Sequence, residues 1–480
     1  MVSGTPPAWR VATLAVLAGG LTVGVAAGRG RRTRWSVGLA AILATGQALP
    51  IAAASRRPPI APAPPQAQSG PTMTSTPEPA ATPGTATARP DAPPPESESA
   101  PTSGPTFSVL VAARDEAAVL PALVADLAAQ DHRAGDGTPL FELIVIDDRS
   151  TDGTGAAALR AAALSGIAAQ LRVVRREGRD LPDGKGAALT AAQPDACRGD
   201  VIVVLDADAR IGPTFLSRVA HYIAAGAGAL TARRRILDAH ESWLAGAQAD
   251  EQTLDGEIQR GRWARGGCSE FRGNGIVIRR DLLASLGGWR PEPLTEDLDL
   301  SSRLAAEQGH NVAWALDVEV WEEPVRTLAG LWRQRDRWAE GALRRTLEHL
   351  PRVLRSRRLS QAARLDFAAY CAQLAVPPIL LGTLAGAVLR RRPGPAIGLG
   401  LTYLGVGSVL AWDALRWETD TAGDPLEACT RAGRALRVGA FNGIWLLVVP
   451  GALWRIGTRC GPVEYAKMEH VGGGTGEWAR

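Results

Sequence analysis

The sequence predicts an α/β domain built on a parallel β-sheet and flanked by membrane-spanning helices. Three observations lead to this prediction. Short apolar runs alternate with Ala/Leu-rich helical sequence in the middle of the chain, a pattern typical of strands covered by helices on both faces. Acidic residues directly follow several of these runs. Apolar segments long enough to cross a bilayer lie at both ends of the chain.

The amino-terminal part, 1–55, contains two apolar spans, 11–28 and 35–54, separated by an Arg-rich turn. Each has the length and low charge of a transmembrane helix, and a cleaved signal peptide is the alternative for the first. Residues 56–106 are rich in Pro, Ala, Ser and Thr and nearly free of aromatic side chains. Such a segment buries too little apolar surface to fold, so we expect a disordered linker.

Acidic side chains mark one edge of the predicted sheet. Glu116, Asp148, Asp206 and Asp208 stand at or just after the ends of three apolar runs. In parallel sheets, ligands bind at the carboxyl ends of the strands, so these carboxylates are candidate site residues. The predicted strands are 107–113, 141–148, 171–174 and 201–208.

Asp206 and Asp208 are candidate ligands of a divalent metal. Crowded carboxylates repel one another unless a cation lies among them, and oxygen ligands suit such an ion. An Asp after a strand also forms turns and helix caps, and this alternative stays open. Lys185 lies between two glycines in a loop predicted to be flexible, where its charge can neutralise a phosphate. The loop lacks the spacing of a P-loop.

Thr295-Glu296-Asp297 opens an amphipathic helix. The unpaired N–H groups and the dipole at a helix start favour negative charge, so one of the two carboxylates can serve as a base. The alternative is an ordinary helix cap.

Gln334, Arg337 and Trp338 follow at positions i, i+3 and i+4, so an amide, a guanidinium and an indole share one helix face. That face suits a diphosphate beside a sugar, and a solvated or interfacial face is the alternative. Beyond it, the Arg-rich stretch predicts a helix lying on a membrane surface. Its basic residues are Arg344, Arg345, Arg352, Arg355, Arg357 and Arg358. Further apolar spans are predicted at 365–389, 396–415 and 438–454.

The net charge of +4 over 480 residues comes largely from Arg clusters beside apolar segments. These clusters favour anionic lipid as a partner and not nucleic acid, for which no motif is present. The five cysteines are scattered without a CxxC pair, so the sequence indicates neither a zinc site nor a disulfide framework. A reducing compartment, with the α/β domain on the cytoplasmic face of the membrane, is the expected location.

Over about 107–350 the chain resembles a membrane-bound family 2 glycosyltransferase with a GT-A fold, whose sheet is mixed and mainly parallel. The motifs that carry the resemblance are VAARDE, IDDRSTDGT, GKGAAL, DADA, FRGNG, TEDLDLSSRL and QRDRW. Within that branch, FRGNGIVIRR, EDLDLS, VWEEPV and QRDRWAEG are most similar to the cyanobacterial β-monoglucosyldiacylglycerol synthases. The resemblance implies inverting transfer of glucose from UDP-glucose to diacylglycerol, with Mg²⁺ (or Mn²⁺) as cofactor. Together with the apolar spans and the composition of the linker, it divides the chain into four regions: two transmembrane helices in 1–55, a linker in 56–106, the glycosyltransferase domain in 107–350, and an interfacial helix with transmembrane helices in 351–480.

The matching motifs imply a role for each candidate residue. The resemblance places Glu116, Asp148, Lys185, Asp206, Gln334 and Arg337 at the donor, Gly273, Asn274, Glu296 and Trp338 at the acceptor, Asp206 and Asp208 at the metal, and Asp297 as general base. A processive β-glycan synthase is the first alternative, since it uses the same residues. A catalytically silent scaffold that binds nucleotide sugar is the second. The sequence does not indicate the oligomeric state.

Overall fold

A computed structural model describes residues 104–178, 181–391, 393–420 and 422–459, with five positions between 10 and 18. The two predicted amino-terminal spans and the linker lie outside the described residues, apart from those five positions and 104–106. The central element is an eight-stranded sheet. Its strands are β1 Phe107–Ala113, β2 Phe141–Asp148, β3 Leu171–Arg176, β4 Val201–Asp206, β5 Arg210–Ile211, β6 Ala229–Ile236, β7 Ile276–Arg279 and β8 Ala313–Glu322.

The spatial order of the strands is β3-β2-β1-β4-β7-β6-β8-β5. The first four in this order are parallel, and Phe107 lies opposite both Phe141 and Val201. β7 is antiparallel to both of its neighbours, β6 and β8 are parallel, and β5 is antiparallel to β8. The sheet is therefore mixed and mainly parallel, which confirms the predicted fold class. All four predicted strands are present.

The apolar runs form strands because helices cover both faces of the sheet. Val109 and Val203 are fully buried on one face, and Leu110 and Ile202 on the other. The helices around the sheet are α1 Leu120–Ala128, α2 Thr154–Leu164, α3 Lys185–Leu189, α4 Phe215–Ala224, α5 Trp243–Ala264, α6 Arg280–Ser285, α7 Glu296–Arg303 and α8 Leu328–Arg355. Lys185 thus begins a short helix, whereas the sequence predicted a flexible loop there.

A second group of helices follows α8: α9 Gln361–Ala372, α10 Val376–Leu389, α11 Pro393–Ala414, α12 Ala428–Phe441 and α13 Trp445–Thr458. Among the described residues, 361–389 and 428–458 are helical segments long and apolar enough to cross a membrane. They contain two of the predicted spans, and α11 matches the third. α13 packs on α8, while α11 and α12 pack on α5, so these helices are attached directly to the α/β domain.

The basic stretch after Trp338 differs from the prediction. Arg344 and Arg345 are buried and do not face a membrane surface: Arg344 pairs with Glu340 at 2.9 Å and Arg345 with Glu270 at 3.0 Å. The prediction is wrong for these two because α8 continues without a break and turns them towards carboxylates of the α/β domain. Arg352, Arg355, Arg357 and Arg358 are exposed.

Candidate active site

The carboxyl ends of the parallel strands β1, β2 and β4 meet at one edge of the sheet, as predicted. This edge lines a cavity of about 590 Å³, and residues of α7 and α8 line it as well. Residues predicted from motifs far apart in the sequence are therefore neighbours in space. The cavity is lined by every predicted site residue: Glu116, Asp148, Lys185, Asp206, Asp208, Gly273, Asn274, Glu296, Asp297, Gln334, Arg337 and Trp338.

The turns after β1 and β2 hold one another in place. The backbone N–H of Glu116 donates to Thr154 Oγ1 at 2.8 Å, and the N–H of Thr151 donates to Asp115 Oδ1 at 2.7 Å. Asp115 has a φ of 53°, a left-handed conformation that aspartate tolerates better than most residues. These bonds fix Glu116 at the cavity wall.

Asp148, at the end of β2, is buried and paired with two guanidinium groups. Arg149 Nε lies 2.9 Å and Arg176 Nη1 lies 2.8 Å from its Oδ1. Arg149 also pairs with Asp183 at 2.6 Å. Asp148 therefore anchors a charged network along this wall, and its own charge is largely balanced within the protein.

Lys185 connects the strand-end carboxylates to α7. Its Nζ pairs with Asp206, donates to the carbonyl oxygen of Gly273 at 2.8 Å, and lies 3.9 Å from Glu296 Oε1. Burial alone lowers the pKa of a lysine, but the charges of Asp206 and Glu296 outweigh it and raise the Lys185 pKa. Lys185 therefore carries its positive charge in the middle of the cavity.

Glu296 and Asp297 are the first two residues of α7. The side chain of Thr295 makes no capping hydrogen bond, so capping does not account for this motif. Burial, opposed by Lys185 and reinforced by the charge of Asp297, raises the pKa of Glu296 to about 7. Burial also raises the pKa of Asp297. Carboxyl groups with raised pKa values, placed in a cavity, are suited to proton transfer near neutral pH.

Gln334, Arg337 and Trp338 share one face of α8, as their spacing predicts. Gln334 Oε1 accepts a hydrogen bond from Arg335 Nη1 at 2.6 Å, and the Arg335 guanidinium lies 4.1 Å from the centre of the Trp338 ring. Arg335 is itself buried and paired with Glu251. Arg335 thus orients two of the predicted residues, a role that the sequence did not indicate.

Other polar residues on the cavity wall were not predicted. Arg234 of β6 bonds to Glu322 at 3.1 Å, and Arg272 pairs with Asp255 at 2.7 Å and bonds to Tyr370. Arg272 and Glu322 fall within the FRGNG and VWEEPV motifs, so the sequence motifs could have identified them. Arg234 is one of three consecutive arginines, and Tyr370 lies in a predicted membrane span, so neither had a signal of its own.

Asp206 and Asp208, the two candidate metal ligands, both line the cavity. Asp206 pairs with Lys185, and Asp208 Oδ2 accepts a hydrogen bond from the backbone N–H of Glu323 at 3.4 Å. Two carboxylates at the edge of a cavity are the kind of oxygen donors that Mg²⁺ and Mn²⁺ prefer, so these residues fit such an ion.

A second group of side chains could also hold a metal ion. Its potential ligand atoms lie within 4.8 Å of one another and belong to Asp299, Glu348 and His349. Asp299 already bonds to Arg303 at 2.8 Å, Arg290 at 2.9 Å and His349 at 2.9 Å. Because two guanidinium groups compensate this carboxylate, we interpret the group as an ion-pair network that joins α7 to α8.

Close packing between α8 and the start of α7 supports the site. A Cβ atom added at Gly341 would lie 2.3 Å from Thr295 Cγ2. Gly341→Ala should therefore displace Thr295, destabilise the fold by about 1–3 kcal/mol and slow catalysis. Gly433→Ala on α12 is the control, because nothing lies within 4 Å of its Cβ position. Thermal unfolding and turnover measure the difference, and equal behaviour of the two variants would refute this packing role.

The fold and the cavity together define a class of protein. Acidic strand ends, a central lysine and an arginine-bearing helix suit a sugar activated by a nucleoside diphosphate. The two neighbouring carboxylates of α7 suit the hydroxyl group that accepts the sugar. Residues 105–341 match the family model described as "Glycosyltransferase like family 2".

Two relatives agree with this class, and one solved structure is also similar to the chain. The chain is 32% identical over 380 residues to a β-monoglucosyldiacylglycerol synthase of Trichormus variabilis, covering 77% of both chains. It is 32% identical over 373 residues to the synthase of that name from Synechocystis sp., covering 76% of this chain and 75% of the relative. A solved mannosyltransferase of Pyrobaculum calidifontis is 22% identical and covers 72% of this chain and 88% of its own, with a TM-score of 0.49. The protein belongs to glycosyltransferase family 2.

Proposed function

We propose that this protein transfers a single glucose from UDP-glucose to diacylglycerol with inversion at the anomeric carbon. The observation that carries the proposal is that Glu296 and Asp297 share one cavity with the strand-end carboxylates and with Arg337. A donor bound along the sheet edge and an acceptor bound at α7 can therefore meet. The name of the relatives supports the sugar and the lipid acceptor.

On the donor side, Glu116 and Asp148 are proposed to contact the uridine, Asp148 through the arginine network that it anchors. Lys185, Gln334 and Arg337 face the diphosphate. A guanidinium can bind two phosphate oxygens at once, so Arg337 stabilises the charge that develops on UDP as it leaves.

Asp206 and Asp208 would hold Mg²⁺ (or Mn²⁺) beside the diphosphate. Such an ion, when bound, neutralises phosphate charge and makes UDP a better leaving group. Lys185 pairs with Asp206 in the protein alone. We infer that its Nζ turns towards the phosphates when the donor is bound.

Asp297 is proposed to act as the general base. It removes the proton from the acceptor hydroxyl while the oxygen forms a bond to the anomeric carbon and the bond from that carbon to UDP breaks. The oxygen attacks from the face opposite UDP, so an α-linked donor gives a β-linked product. Positioned proton transfer of this kind is typically worth about 10²–10⁴-fold in rate.

The acceptor hydroxyl is proposed to lie among Gly273, Asn274, Glu296 and Trp338. A Cβ added at Gly273 would lie 3.8 Å from Asp297 Oδ2, so a glycine leaves room beside the base. Asn274 is buried, and its Oδ1 accepts the backbone N–H of Asp206 at 3.1 Å, which ties this side of the cavity to β4. Glu296 has a pKa of about 7, so it can either donate a hydrogen bond to the acceptor hydroxyl or accept one from it.

We further propose that 1–55 spans the membrane, that 56–106 is a linker, and that 107–350 is the catalytic domain on the cytoplasmic face, where UDP-sugars are made. The remaining region, 351–480, would hold that domain at the bilayer. α8 ends at Arg355, close to the proposed boundary at 350.

The proposal is tested in the lipids of a bacterial host that makes no glucolipid of its own. Cells expressing the protein should accumulate one new lipid, which thin-layer chromatography and mass spectrometry identify as diacylglycerol plus one hexose. Cells expressing Asp297→Asn to the same level are the control and should lack it. Absence of the new lipid from both cell lines, with folded protein in the membrane, would contradict the proposal.

A further inference from the structure

The cavity continues beyond the candidate catalytic residues into the helices that follow α8. We call this continuation the apolar arm. Its lining residues on those helices include Leu380 of α10, Val406, Gly407 and Leu410 of α11, and Val449 of α13. The arm is therefore built by elements that lie outside the family-model match, and no site residue was predicted on them.

The lining of the arm is suited to hydrocarbon. On α10, α11 and α13, no described lining residue carries a charge. Two of the polar groups there have partners within the protein: Thr402 Oγ1 donates to the carbonyl of Gly398 at 2.8 Å, and the Tyr403 hydroxyl donates to the carbonyl of Asn442 at 3.1 Å. Because these groups need no further partner, the arm does not require a polar occupant.

A hydrogen bond joins one helix of the arm to a polar residue of the cavity. Trp445 Nε1 of α13 donates to Glu251 Oε1 of α5 at 3.1 Å, and both residues line the cavity. The pair thus joins the candidate membrane segment 428–458 to α5 of the α/β domain. A molecule that fills both parts has a polar head and an apolar tail.

We propose that the apolar arm binds an acyl chain of the acceptor lipid, so that the arm places the glycerol hydroxyl beside Asp297. This inference rests on the proposed function and adds the part of the protein that selects the lipid. The arm belongs to the same cavity as the base, and two of the segments that line it, 361–389 and 428–458, are long and apolar enough to lie in a bilayer. An acyl chain in the arm therefore stays in apolar surroundings while the head group reaches the base, which removes most of the cost of exposing the chain to water.

Two valines on α11 give a matched test. Val406 lines the arm, whereas Val409, three positions further on the same helix, is 68% exposed and does not line the cavity. Val406→Trp should fill part of the arm, and Val409→Trp makes the same change on the outer surface. Each variant is purified in detergent and assayed with UDP-glucose and either dipalmitoylglycerol or dioctanoylglycerol.

Val406→Trp should lower transfer to dipalmitoylglycerol relative to dioctanoylglycerol by roughly tenfold, because the longer chain needs more of the arm. UDP-glucose affinity, measured by calorimetry, should stay at the wild-type value and also reports that the variant is folded. Val409→Trp should leave the ratio of the two rates unchanged. An unchanged ratio in Val406→Trp would overturn the inference.

A second measurement does not depend on a variant. Wild-type protein is irradiated with a diacylglycerol that carries a photoreactive group near the end of one acyl chain, and the labelled peptides are identified by mass spectrometry. Label on α10, α11 or α13 at cavity-lining positions supports the inference, and label confined to the outer surface refutes it. If the wild type glucosylates neither lipid, the proposed function fails; if it glucosylates both without these effects, only the acyl site fails.

Discussion

Asp297→Asn is expected to lower the turnover of sugar transfer by about 10²–10⁴-fold while UDP-glucose affinity changes by only a few-fold. The amide keeps the shape of the side chain but cannot take the proton of the acceptor hydroxyl. Because burial raises the Asp297 pKa, the wild-type rate should also fall as the pH drops, starting above the ordinary range of an aspartate. Turnover is measured from pH 5 to 8 and donor affinity by calorimetry.

Two further variants identify the base. Asp281→Asn makes the same change in a side chain that is 69% exposed at the start of α6, and it should leave turnover unaltered. Glu296→Gln tests the neighbouring carboxylate, and we expect a smaller loss than for Asp297→Asn because Glu296 is proposed only to contact the acceptor. If Asp297→Asn keeps more than about a tenth of wild-type turnover, the base lies elsewhere.

Removal of the metal is expected to have the second largest effect. An excess of EDTA should stop transfer, and added Mg²⁺ or Mn²⁺ should restore it, because the donor diphosphate would otherwise face the carboxylates of Asp206 and Asp208 without compensation. Asp208→Ala should weaken UDP-glucose binding as well as turnover.

Asp195→Ala is the control for this variant, since Asp195 is exposed and lies outside the cavity. Mg²⁺ binding to the protein, followed by calorimetry in the presence of UDP, gives a readout independent of transfer. Full activity in excess EDTA would count against the metal, whatever the effect of Asp208→Ala.

The position of the site could be predicted because its parts follow local rules. Parallel strands end at the same edge of a sheet, so Asp148 and Asp206 had to lie near one another. Likewise, residues at i, i+3 and i+4 share a helix face, which brought Gln334, Arg337 and Trp338 to the cavity wall together. The start of α7 was readable from its carboxylates, and no tertiary contact was needed for any of these inferences.

Other features depend on contacts between segments that are distant in the sequence. Arg345 has the same local pattern as a membrane-surface helix, and only the position of Glu270, on a distant segment, shows that it forms a buried ion pair. Arg335 orients Trp338 because Glu251 of another helix holds it. The apolar arm arises where α10, α11 and α13 pack, and hydrophobic periodicity alone does not predict which of their residues line a cavity.

The most direct test measures how many sugars the protein transfers to each lipid molecule. Purified wild-type protein is incubated with UDP-glucose, diacylglycerol and Mg²⁺, and released UDP and lipid products are quantified together over time. We expect one UDP for each lipid glucosylated, a single product of diacylglycerol plus one hexose, and a β-linkage by NMR. A ladder of longer products, an insoluble polymer, or UDP released without any glucolipid would contradict the account.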